Sequence, residues 1–370
     1  ITVDYSRQLS ESQKLEAGYD GSFTAQDFNF YGEFLDAATN KFVPDLPKIN
    51  HFKYNENIHA FYGTYQKSYK RFGYAAGLRF EEAIIKGNQV TKDSAISNNY
   101  FKIYPTLHLS YKKGSGEFQL NYSRRVHRPE GDDINPFPEY QDPYNVRAGN
   151  PKLLPEIIHS VEFGYKWQNK NFSLVPGIYY RYKQNGFTEI TLPLNDSVLL
   201  TTQQNLSNDQ SAGLEIIASA KVGKFFSANM SNNFFYNRID ASSLGYADSK
   251  SIVSMSINLN TTFNITKTTM MQLSSNYRSP RLAPQGKQYG SWVMNGGVRQ
   301  DFLKKKLSAT LTVSDIFQTL KQRSEISSSY LRQYAVSTRD VRIIYLGVSY
   351  RFGKIIKKAT EEKLQFDNGL

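Results

Sequence analysis

The stretch Val253-Ser254-Met255-Ser256-Ile257-Asn258-Leu259-Asn260-Thr261-Thr262-Phe263 decides the fold. Apolar side chains at 253, 255, 257, 259 and 263 alternate with Ser, Asn and Thr at the even positions. A period of two is that of a β-strand, whose successive side chains point to opposite faces. The pattern repeats on both sides. Met271, Leu273 and Tyr277 oppose Gln272, Ser274 and Asn276. Ile344, Leu346, Val348, Tyr350 and Phe352 oppose Ile343, Tyr345, Gly347, Ser349 and Arg351. Upstream, Val161, Phe163, Tyr165 and Trp167 oppose Glu162, Gly164 and Lys166. Phe118, Leu120 and Tyr122 likewise oppose Gln119 and Asn121.

A soluble sandwich also alternates, with its apolar face hidden against a second sheet. Two features point elsewhere. Many strands span 10 or more residues, whereas soluble strands run about 5–6 and membrane-spanning strands about 9–11. Connections also alternate in length. Short ones fall near Arg7–Lys14, Tyr69–Phe72, Lys112–Gly116, Gln168–Lys170, Val222–Lys224, Thr266–Thr268 and Leu303–Lys306. Long ones fall at 38–50, 87–98, 129–155, 192–197, 239–250, 281–287 and 320–336. Outer-membrane barrels have short periplasmic turns and longer extracellular loops.

The expected fold class is therefore all-β: a transmembrane antiparallel β-barrel with about 15 strands in this chain. A sheet in lipid must close, and bacterial single-chain barrels have even strand numbers. About 15 strands starting in mid-pattern suggest the C-terminal portion of a larger barrel over residues 1–353. Residues 354–370 lose the period of two and read as a periplasmic charged tail, helical or disordered. Pro105, inside a strand, predicts a local bulge.

Composition agrees. Among 370 residues, aromatics are 14%, with 26 Tyr and 24 Phe against 2 Trp. The mean hydropathy of −0.53 suggests solubility at first sight, but it averages two faces of opposite character. No cysteine is present, which excludes disulfides, thiolate metal sites and a Cys nucleophile. No apolar run is long enough for a transmembrane helix. The chain opens at Ile1 with no visible signal peptide, which is either removed or belongs to a longer protein. The net charge of +12 is scattered rather than gathered into a stripe, so nucleic acid is not an expected partner.

One block is more specific. Tyr122-Ser-Arg-Arg-Val-His-Arg-Pro129 runs into Ile134-Asn-Pro-Phe137, Asp142-Pro-Tyr144 and Gly149-Asn-Pro-Lys-Leu-Leu-Pro-Glu156. It resembles the barrel domain of TonB-dependent outer-membrane receptors, in the form common in Bacteroidetes. The resemblance continues at Tyr54–Ile58, Gly77–Glu81, Gly213–Glu215, Tyr277–Pro280, Gln285-Gly286, Asp301–Lys306, Asp315–Phe317 and Ser349–Gly353. It covers roughly residues 1–353. Such receptors have 22 strands and an N-terminal plug; counting back from a last strand at 338–352, Ile1 falls in about strand eight. The resemblance implies that the plug, the TonB-contacting segment and the early strands lie outside this sequence.

The prolines of 129–155 fix backbone angles and remove ladder donors, shaping an ordered loop. Within it Arg125, Arg128, Phe137, Tyr140, Tyr144 and Arg147 are the candidate ligand-binding residues, since binding residues concentrate on loops held by rigid scaffolds. The alternative, which stays open, is that these arginines pair with neighbouring acids and the aromatics pack the loop. Arg181, Asn258, Asn276 and Thr310 are expected to face the lumen. Tyr350 and Phe352 end the last strand on its apolar face. The resemblance makes them a barrel-insertion signal; an interfacial aromatic girdle is the other reading.

No catalytic motif, phosphate-binding loop or paired metal-ligand histidines appear, so no enzyme, cofactor or metal is expected. Asp132 and Asp133 lack the spaced oxygen ligands of a calcium loop. The resemblance implies an outer-membrane receptor taking up a scarce nutrient with TonB-coupled energy. Its implied partners are outer-membrane lipid and lipopolysaccharide, the TonB complex, the barrel-assembly machinery and a surface lipoprotein. A passive channel or assembly scaffold is the rival on the same barrel, and a soluble secreted carbohydrate-binding β-protein the rival from another class.

Overall fold

The computed structural model describes residues 1–244, 249–328, 330–338 and 342–353. The expected tail at 354–370, residues 245–248 of the long loop at 239–250, and residues 339–341 of the expected last strand lie outside the described residues. Fifteen strands join in chain order into one sheet. They are Thr2–Ser10, Gln13–Phe30, Asn50–Tyr69, Phe72–Gln89, Ser94–Lys113, Gly116–His127, Glu156–Gln168 and Phe172–Gln184 in the first half. Asn208–Val222, Phe226–Asp240, Lys250–Asn264, Thr269–Arg278, Ser291–Phe302, Leu307–Val313 and Ile344–Tyr350 complete it. Neighbours pair antiparallel throughout.

One end of the sheet carries tight turns at 11–12, 70–71, 114–115 and 169–171, and again at 223–225, 265–268 and 303–306. Gly114 and Gly223 adopt φ of 61° and 57°, the left-handed region that glycine enters without a steric penalty. The other end carries the long connections, with two differences from the expectation. The segment 87–98 is not a long loop: strands run to Gln89 and from Ser94, leaving only 90–93. The segment 192–197 is only the tip of a connection spanning 185–207, most of which is a hairpin of Phe187–Pro193 with Leu199–Asn205.

The expected bulge at Pro105 is absent. Its ladder with Phe72–Gln89 runs unbroken through Leu78↔Pro105. The ladder with Gly116–His127 instead stops at Thr106↔Ser123. Proline lacks the N–H that a continued ladder on that side requires. The strands part there, and the Arg124 guanidinium donates to the Ile103 carbonyl at 3.2 Å across the gap.

The register sorts the faces. Val253, Tyr236, Ala212 and Tyr180 lie in one row, and Ile178, Leu214, Phe234 and Met255 in the next. Ile178 is 57% exposed and Phe234 49%. A wide, exposed apolar face of this kind needs an apolar solvent. The opposite face holds Ser211, Asn233, Ser256, Asn258, Gln272 and Thr310.

In the four longest strands the alternation changes phase partway. In Asn50–Tyr69, Phe61 and Tyr65 belong to the exposed apolar face, yet higher up that face becomes Lys53, Asn55 and Asn57. The other face switches at the same height to Phe52, Tyr54, Ile58 and Ala60. Phe72–Gln89 does the same, from Phe72, Leu78 and Phe80 to Glu82, Lys86 and Asn88, with Ala83 and Ile85 opposite. From the turn to the switch is nine residues, Phe61 to Tyr69 or Phe72 to Phe80, which matches the length of a tilted span through hydrocarbon. Above the switch the outer face meets water and the inner face is free to carry a core.

Loop 128–155 fills that core. Its Ile134 and Leu153 pack with Phe52, Tyr54 and Ile85 of the wall, all at most 3% exposed. Phe28, Tyr100 and Phe187 pack around them. The loop thus folds over the polar side of the sheet, not outward. The loops also build two small sheets. Phe187–Pro193, Leu199–Asn205, Asn145–Arg147 and Glu139–Asp142 form one; Arg281–Ala283, Gly286–Gln288, Lys321–Ser327 and Arg332–Thr338 form the other. Gln285, 4% exposed, ties them together. Its Oε1 accepts from the Thr191 N–H at 2.7 Å and its Nε2 donates to the Thr191 carbonyl at 2.9 Å. The side chain takes the place of a ladder residue, satisfying both backbone groups at once.

Candidate functional site

Beneath the inward loop, a row of charges crosses the wall. Glu81 is almost fully buried, with its side chain 5% exposed. A buried carboxylate persists only if it is paired. Arg79 Nε donates to it at 2.9 Å, and Arg79 Nη2 reaches on to Asp20 at 3.2 Å. Arg128, from the start of the loop, closes on the other Glu81 oxygen. Burial lowers the Arg128 pKa from its ordinary value, and the Glu56 carboxylate opposes that shift. Next to it the Tyr54 hydroxyl donates to the Pro129 carbonyl at 3.4 Å. The loop root is thus fixed by charge, and its body by the apolar cluster.

The residues expected in a ligand site divide into two groups. Arg128 and Phe137 are inside the loop's own packing, Phe137 being 7% exposed. Arg125, Tyr140, Tyr144 and Arg147 are exposed. Arg147 shares a half-exposed ion pair with Glu189 at 3.4 Å, within the first loop sheet. The Lys48 ammonium lies 5.9 Å from the Tyr140 ring centre. These four share no hydrogen bond or ion pair with one another. Asp133 caps the turn Gly131–Ile134 by accepting from the Glu130 N–H at 3.0 Å, and also accepts from Gln203 at 3.1 Å. Its oxygens serve loop structure. Among the described residues no cluster of three or more metal-ligating side chains occurs.

The residues expected in the lumen all lie on the polar face. Arg181 stacks on the Tyr179 ring at 4.5 Å and pairs with Glu162 at 3.2 Å. Tyr179 lies across Gly213 and donates to Asn233 at 3.0 Å, two strands away. Asn276 donates to Asn258. Thr310 shares its row with Arg299, which pairs with Asp301 at 3.0 Å. Tyr350 and Phe352 are exposed on the apolar side, their rings edge-to-face at 4.7 Å.

Sequence reading missed Asp20, Arg79 and Glu81 as a unit. The signal was available: Arg79 and Glu81 alternate on the face that then turns apolar at Ala83 and Ile85.

A two-faced antiparallel sheet of this length, polar within and apolar without, defines a membrane β-barrel wall. Residues 1–350 match the outer membrane protein beta-barrel family, and the chain belongs to that family. Its place is the bacterial outer membrane. Among curated protein sequences none matches. Among solved structures the chain is similar to the copper transporter OprC, with a TM-score of 0.69 at 12% identity over 95% of this chain and 57% of that one. It is also similar to the ferric yersiniabactin uptake receptor FyuA from Yersinia pestis, with a TM-score of 0.62 at 12% identity over 91% of this chain and 51% of that one. The ferric citrate transporter FecA, unliganded, gives 0.65 at 14% identity over 95% and 54%. The chain spans about half the length of the solved structures it matches.

Proposed function

We propose that this chain is the C-terminal barrel portion of a TonB-dependent receptor that admits a scarce nutrient across the outer membrane. The observation that carries the reading is the loop folded onto the polar wall, held by the Arg128–Glu81 pair and the Phe52–Leu153 cluster. A passive pore works with an open mouth. A mouth obstructed by a packed loop suits regulated entry that consumes energy. The likeness to a copper transporter and a ferric citrate transporter supports the same reading. So does the sheet itself, whose first and last strands each pair on one side only among the described residues, as expected of part of a larger closed wall. On this reading the ligand first meets the exposed Arg125, Tyr140, Tyr144 and Arg147. Arg181, Asn258, Asn276 and Thr310 line the path, and Tyr350 and Phe352 are read by the assembly machinery.

The test uses the whole gene product in its host. Deleting the gene and inactivating TonB should abolish growth on the same limiting nutrient. Uptake that persists without TonB would favour a passive channel. Recovery of the protein in solution without detergent would overturn the membrane reading altogether.

A further inference from the structure

A cavity of about 330 Å³ lies at the sheet rim, under the second loop sheet. That volume is near the lower end for small-molecule sites, roughly 300–1,000 Å³. Four cations line it: Arg278 at the end of a wall strand, Arg281 from the loop that follows it, and Lys321 and Arg323 from the later hairpin. Among the described residues no carboxylate lines it. Arg278 pairs in register with Ser291 and lies in the row of Ser256, on the polar side of the wall. Arg281, Gln288 and Ser324 form a second row across the loop sheet, all facing one way.

Arg79, Arg128, Arg147, Arg181 and Arg299 each hold a carboxylate. Among the described residues, none of the four cavity cations has an ion pair or a side-chain hydrogen bond to protein. The nearest acid on the hairpin, Glu325, is engaged elsewhere. It accepts from Tyr289 at 2.7 Å and faces Lys287 at 3.7 Å, on the strand face it shares with Lys321 and Arg323. Four like charges around one cavity repel one another and raise the local concentration of anions. Guanidinium groups also present planar forks that match carboxylate and phosphate oxygens. Gln288, Ser291 and Ser324 add neutral groups able to hydrogen-bond such oxygens.

We propose that this cavity binds a small ligand bearing phosphate or carboxylate groups with at least two negative charges. The proposal deepens the reading of the chain as a nutrient receptor by naming the ligand's chemical class. Two sources carry that chemistry, a free solute and the phosphorylated headgroup of lipopolysaccharide.

The test measures binding to the purified whole protein by calorimetry, with no TonB present, so that failure of TonB coupling leaves it untouched. Citrate and pyrophosphate are titrated in detergent, with glucose as the neutral control. The expected result is saturable binding of both anions and none of glucose, weakening as salt rises. Arg278→Gln and Arg323→Gln should each weaken it about tenfold or more, as expected for loss of a charge-assisted hydrogen bond. An unchanged heat-modifiable band on a gel shows that each variant is folded. Nanodiscs holding phosphorylated or dephosphorylated lipopolysaccharide form the second arm. Binding seen only there, dependent on the phosphates and lost in both variants, assigns the site to the headgroup. Absence of anion binding in both arms, or variants that bind like the native protein, overturns the proposal while leaving transport itself undecided.

Discussion

Leu153 and Leu154 are adjacent in the loop and opposite in environment: Leu153 is 1% exposed and Leu154 47%. Leu153 lies among Phe52, Tyr54, Ile85 and Ile134, and supplies much of the apolar contact that holds the loop to the wall. Truncating a buried leucine to alanine costs about 2–5 kcal/mol, through lost transfer energy and the cavity left behind. Truncating an exposed one costs within about 0.5 kcal/mol. Each 1.4 kcal/mol is about a factor of ten in an equilibrium. Leu153→Ala should therefore raise the open population of the loop by about 30-fold or more, and Leu154→Ala by about twofold at most. Hydrogen exchange of the protein in detergent reads this directly. The reporters are the Asn135 and Gly149 amides, bonded within the loop to Gly131 and Asn135 at 3.0 and 2.8 Å. Strand amides such as those of Lys250–Asn264 serve as internal controls. Equal loop exchange in the two variants would refute the inward packing as the source of loop order.

The other predictions concern separate contacts. Glu81→Ala leaves Arg128 buried and unpaired and should destabilise the loop root by about 3–5 kcal/mol; protection of the segment after Pro129 against limited proteolysis should fall sharply. Gly213→Ala places a Cβ 2.8 Å from the Tyr179 ring and from the Phe234 carbonyl, so about 1–3 kcal/mol of overpacking is expected, seen as a lower temperature of heat-modifiability on a gel. Gln285→Ala strands the buried Thr191 N–H, while the Thr191 carbonyl keeps the Tyr330 hydroxyl at 3.3 Å, at about 1–3 kcal/mol, and should raise Thr191 exchange without altering the strands. The Glu325 carboxyl is held below its usual pKa, first by the Tyr289 hydroxyl and then by Lys287 and Arg332. A lowered folded-state pKa means stability present above the unfolded value and lost as pH falls through the folded one. Exchange in Lys321–Ser327 should thus rise on acidification below the ordinary glutamate range, and Tyr289→Phe should abolish part of that dependence.

Much of the fold is legible in single strands. Val253 to Phe263 states its two faces unaided, because lipid on one side and a polar interior on the other act on each residue independently. The turns were legible for the same local reason. The inward loop was not. Ile134 finds Phe52 and Tyr54 across some 80 positions of sequence, and nothing in the loop's own composition says which face of the wall it covers. Phe137 and Tyr144, both aromatic and eight or fewer residues from a proline-rich turn, end up with 7% and 65% exposure. That difference is set by tertiary packing, not by residue type. Pro105 illustrates the remaining ambiguity. Proline says that one donor is missing, but not which neighbour loses it.

The change of phase at Ala60 and Glu81 has a further consequence for how the chain tolerates insertions. Below it a strand is anchored by its turn, and above it by a core, so the two halves are keyed to opposite surroundings. Adding one residue between Phe61 and Tyr69 would rotate every side chain above it to the wrong face, putting Phe52 and Tyr54 into water. Adding two would keep the faces but lift the upper half by about 7 Å, since a strand rises about 3.4 Å per residue. Tyr54 would then lose the Pro129 carbonyl unless the neighbouring strands lengthened as well. Length variation in this wall is therefore expected in steps of two and in adjacent strands together, whereas the loop tips are free to change one residue at a time.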